Sequence, residues 1–100
     1  MSKTLQDYQE EVKALVLERG FDKETVSEVF TLFVEEVGEL AKGIRKENGQ
    51  KVGAHSKDRN VAEEAADIFW LLIDLCNRLD INLGEAFEAK EAKNRNREWK

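Results

Sequence analysis

The chain has no proline, one cysteine and one histidine, and each shortage narrows what it can be. With no proline, six glycines and 37% charged residues, it suits helices joined by short links better than a sandwich or barrel. Cys76 alone cannot close an intrachain disulfide. His55 stands in a polar, glycine-containing stretch, not at the Glu-x-x-His spacing of di-iron bundles, which argues against iron. No apolar run approaches the roughly 18–20 residues of a membrane span, and the opening MSKTLQDYQEEVK lacks the apolar core of a secretory signal. A cytoplasmic protein with no membrane partner is expected. Positive charge is short as well: Lys+Arg of 16 against Asp+Glu of 21 gives a formal charge of -5, which excludes the broad basic field of a protein that binds nucleic acid polymers.

One hundred residues are expected to make a single domain, 1–100. A chain of this size buries only about 60–65% of its unfolded surface, so self-association is an expected way to enlarge the core. Leu5, Tyr8, Val12 and Leu15 predict a first helix over about 3–19, stopped by Gly20. Thr25 with Glu28 forms a capping-box pattern, and Val26, Val29, Phe30, Phe33, Val37, Leu40, Ala41 and Ile44 carry a second helix over about 24–46. Residues 47–59 read as a loop. Asn60 with Glu63 opens a third helix, in which Val61, Ala65, Ile68, Phe69, Leu72, Cys76 and Leu79 are apolar and the middle is expected to be the most buried part of the chain. Asn82 with Glu85 opens a fourth, basic in its second half. Cys76 fits a small buried hydrophobe.

Helical rotation of about 100° per residue sets Glu36 and Glu39 on one face, and Glu64 and Asp67 share the same spacing on the third helix. Antiparallel packing pairs Glu36 with Asp67 and Glu39 with Glu64, and brings Val37 to Ala66 and Phe30 to Ile73. Unit charges about 5 Å apart repel by roughly 3 kcal/mol at an effective dielectric of about 20, so the four carboxylates must protonate, splay or bind a cation. An all-carboxylate set suits Mg²⁺, with Mn²⁺ as a substitute. Glu35 lies about 100° round from Glu36, and Glu63 has a capping role, so both are peripheral by geometry. Solvated acidic faces are the plain alternative, as in a non-catalytic helical interaction module.

Lys90, Lys93, Asn94 and Arg97 fall on one stripe of the fourth helix, able to grip a polyphosphate or simply to complement the helix dipole. Phe33 and Trp70 fall in one layer near the carboxylates, where they pack the core or sandwich a nucleobase.

These motifs together, EEVGE at 35–39, EEAAD at 63–67 and KEAKNRNREW at 90–99, resemble the MazG-like nucleotide pyrophosphohydrolases of the all-α NTP pyrophosphatase superfamily, over about Val29 to Trp99. The resemblance implies an all-α, four-helix bundle-like fold assembled as a homodimer or homotetramer. It also implies Mg²⁺ held by Glu36, Glu39, Glu64 and Asp67, with Glu35 assisting a second metal or the attacking water. Lys93, Asn94 and Arg97, with Lys90, would contact phosphates. The implied reaction is hydrolysis of a nucleoside triphosphate, of deoxy or non-canonical type, to monophosphate and pyrophosphate in a house-cleaning role.

Overall fold

The computed structural model describes residues 2–48 and 61–97, and among these it is entirely helical. Four α-helices follow in order: α1 (Leu5–Glu18), α2 (Val26–Glu47), α3 (Val61–Arg78) and α4 (Leu83–Arg95), with a short 3-10 turn, Phe21–Lys23, between α1 and α2. Each start is chemically marked. Thr4 and Asp7 close a capping box on α1, and Thr25 and Glu28 do so on α2, satisfying backbone N–H groups that the first turn leaves open. Asn82 accepts from the Glu85 N–H at the start of α4. The expected cap at Asn60, most of the 47–59 loop and His55 lie outside the described residues, while Glu47 and Asn48 end α2.

Among the described residues, two helix ends take a left-handed residue. Gly20, at φ 77°, takes this role after α1 as its sequence position suggests. After α3 the residue is Asp80, at φ 56°. There the Ile81 N–H donates to Cys76 O at 2.8 Å and the Asp80 N–H to Asn77 O at 3.3 Å, a Schellman arrangement built without glycine.

Helix α3 is the hub: α2 and α1 both pack on it, and α4 packs on α1. Val12 and Val16 of α1 meet Ile73 of α3, with Leu5, Trp70 and Leu83 against them, and Tyr8 meets Phe69 edge to face at 5.5 Å. Two expectations about this core need correction. The stripe on α1 runs through Leu5, Gln9, Val12 and Val16; Leu15 is only half-buried and Tyr8 is exposed. On α2, Val29 is the fully buried residue, whereas Phe30, expected against Ile73, is 54% exposed. A one-residue difference rotates a side chain by about 100°, enough to move it from core to surface.

Gln9 can replace an apolar residue because every polar atom it buries is used. Its amide donates to Asn77 Oδ1 and Ile81 O at 2.9 Å each, and its Oε1 accepts from the Leu83 N–H at 2.9 Å. These bonds tie α1 to the α3–α4 turn. Cys76 is buried and its thiol is pushed up by burial, which keeps it protonated and unreactive.

Candidate metal centre

Glu36 of α2 faces Glu64 and Asp67 of α3, and each offers one carboxylate oxygen such that all three lie within 4.8 Å of one another. The two α3 residues are one turn apart, so they straddle a single residue of α2. The adjacent cavity joins Leu32 and Glu36 to Asp67, Trp70 and Leu71. Low numbers on α2 thus meet high numbers on α3, the antiparallel packing that the acidic pattern requires.

The electrostatic consequence falls on Glu36. A hydrogen bond with Glu64, partial burial, and the charges of Glu64, Asp67 and Glu39 push its carboxyl up to about 7. The cluster therefore stores a proton that a cation could replace. An all-oxygen set of carboxylates fits a hard divalent ion.

Glu39 adds its charge to this group but is not among the three residues whose oxygens converge. Glu35, next to Glu36, is exposed, as its rotation of about 100° dictates. Trp70 is half-buried; it packs on the core and also lines the cavity. Phe33 takes a different place, stacked on Phe30 with centroids 6.3 Å apart, and it is not a lining residue of the cavity. Lys90 and Lys93 are exposed on α4, and Asn94 is half-buried, its amide donating to Glu91 Oε1 at 3.4 Å. Arg97 lies beyond the end of α4, its N–H bonded to Asn94 O at 3.2 Å.

The cavity, about 320 Å³, also has walls that sequence periodicity did not mark: Arg19 and Phe21 from the end of α1 and its turn, with Leu32 and Leu71. The available signal was the position of Phe21, an aromatic directly after a helix-stopping glycine and outside any stripe. A second cleft of about 430 Å³ is lined by Gln6, Gln9, Asn77 and neighbours, where polar side chains bond to each other and to backbone.

Residues 24–100 match the family model described as the MazG nucleotide pyrophosphohydrolase domain. The chain belongs to the MazG family. Within this MazG domain lie the carboxylate cluster and the basic residues of α4, whereas Arg19 and Phe21 precede it. The uncharacterized protein YpjD of Bacillus subtilis (strain 168) is similar, 33% identical over 89 residues that cover 86% of this chain and 78% of YpjD. No solved structure gives a significant match. Among the described residues, no helix is long and apolar enough to cross a membrane.

Proposed function

We propose that the protein hydrolyses nucleoside triphosphates to the monophosphate and pyrophosphate, using a divalent cation, Mg²⁺ or Mn²⁺, held by Glu36, Glu64 and Asp67 with Glu39 completing the set. The observation that carries this reading is the convergence of three carboxylates within 4.8 Å in a chain with a MazG nucleotide pyrophosphohydrolase domain. When bound, the cation supplies neutralisation of phosphate charge and acidification of water. The rest falls to the chain. Lys90, Lys93, Asn94 and Arg97 steady the phosphates through charge-assisted hydrogen bonds, and Trp70 offers an aromatic face to the base. Water attacks the α-phosphorus, the bond to the bridging oxygen breaks, and pyrophosphate leaves. The proton from water passes to a carboxylate of the EEVGE segment, Glu36 or its neighbour Glu35. Deoxy and non-canonical nucleotides are the proposed substrates, in a house-cleaning role in the cytoplasm.

Assembly as a homodimer or homotetramer belongs to the same proposal. Phe30, Val37 and Ile44 recur every seven residues on α2, Val34 follows Phe30 by four, and all four are exposed, Phe30 by 54% and Val34 by 52%. An apolar seven-residue repeat of this kind is satisfied by a second helix.

The test is pyrophosphate release from a panel of NTPs and dNTPs with Mg²⁺ or Mn²⁺. Glu36→Gln and Asp67→Asn are expected to lose about a hundredfold in activity, since each removes a charged ligand of the cation. Full activity in both variants would remove the site from the reaction, and an inert parent would remove the reaction itself.

A further inference from the structure

Arg19 and Phe21 line the cavity beside Glu36 and Asp67 although they precede residue 24, where the family domain begins. Phe21 is 40% exposed, an aromatic ring that the core does not use. Arg19 brings positive charge to a lining that otherwise holds carboxylates and apolar side chains. This pairing matches a nucleotide, which presents a flat base and a charged phosphate together.

The 3-10 turn that opens at Phe21, two residues after Arg19, is fixed from α3. Arg78 donates from Nη2 to Phe21 O at 2.8 Å, from Nη1 to Glu24 O, and from Nε to Asp74 Oδ1 at 3.0 Å. Asp74 is 3% exposed and Arg78 is half-buried beside it, with two of the guanidinium's donors on the carbonyls of Phe21 and Glu24 that bracket the 3-10 turn. Since α3 also carries Glu64, Asp67 and Trp70, one rigid helix sets the distance between the turn and the carboxylates.

We propose that the turn from Arg19 to Phe21 is a nucleotide-recognition wall of the carboxylate cavity, and that Asp74 and Arg78 are positioning residues that hold it in place. This rests on the proposed hydrolase activity and adds residues to its site.

The experiment is steady-state pyrophosphate release with the nucleotide the parent turns over fastest, alongside Mn²⁺ binding measured without nucleotide. Arg19→Ala and Phe21→Ala are expected to raise KM about tenfold with kcat within about threefold, the pattern of lost uniform binding, and to leave Mn²⁺ affinity unchanged. Arg78→Lys, which keeps the charge but loses the planar fork, is expected to raise KM about three- to fivefold. In the Arg19→Ala/Phe21→Ala background the same change should add little, because it acts through those two side chains. Asp74→Asn serves in its place if Arg78→Lys does not fold by circular dichroism. Parental KM in both wall variants would overturn the recognition wall while leaving the hydrolase reading intact. Fully additive KM effects would overturn the positioning role. A parent inert toward every nucleotide would overturn the hydrolase reading and this inference with it.

Discussion

At Glu36 the neutral carboxyl is favoured in the folded state by a hydrogen bond with Glu64, by burial and by three nearby carboxylates, whereas in the unfolded chain it ionises near its usual value. The folded form thus binds the extra proton. Its stabilising contribution is present below about pH 4.3, the unfolded value, and is lost as pH rises through about 7. Without divalent ions, the melting temperature is expected to fall between pH 5 and pH 8 by an amount equivalent to about 1 kcal/mol, allowing for solvent screening. Glu36→Gln should flatten that slope and be the more stable protein at pH 8. Added Mn²⁺ should raise the parent's melting temperature at pH 8 and have a smaller effect on the variant, which thermal scans with and without the ion would read. The acidic spacing identified Glu36 and its α3 partners, but Glu39's smaller share could not be read from it. Spacing gives a side chain's direction and not the reach of its carboxylate.

Among the elements, α2 carries the largest compromise. Gly38 interrupts it between Glu36 and Glu39, yet a Cβ added there would meet nothing within 4 Å and its φ is not left-handed. Gly38→Ala is therefore expected to stabilise the protein by up to about 1 kcal/mol, measured by urea unfolding. The opposite is expected at the joint between α1 and α3. Replacing Gln9 with Leu would keep the volume but strand Asn77 Oδ1, Ile81 O and the Leu83 N–H, and should cost about 2–3 kcal/mol in the same assay. The starts of α2 and α4 were legible because Thr25 and Asn82 act on their own backbone within three residues, whereas Thr4, the cap of α1, lay inside the span expected to be helical. The use of Gln9 as a core residue was not, since its partners lie about seventy positions along the chain.

For the whole molecule, the exposed face of α2 predicts self-association. Phe30→Asp or Val37→Glu is expected to shift the protein toward monomer in sedimentation velocity, because a charge buried in an apolar seam costs several kcal/mol. An unchanged sedimentation coefficient in both would show that this face is not the interface. The sequence by itself determined the helical class, the four segments, the caps at Thr25 and Asn82, the two acidic pairs and the basic tail. All of these depend on local periodicity and on bonds within a turn. Only the tertiary structure decided which of Val29 and Phe30 enters the core, that Phe33 stacks on Phe30 while Trp70 lines the cavity, and that Arg19 and Phe21 line it too, with Arg78 bonded to the Phe21 carbonyl. Those outcomes turn on the relative rotation of packed helices and on contacts between distant residues, where a single position of phase changes a side chain's neighbours.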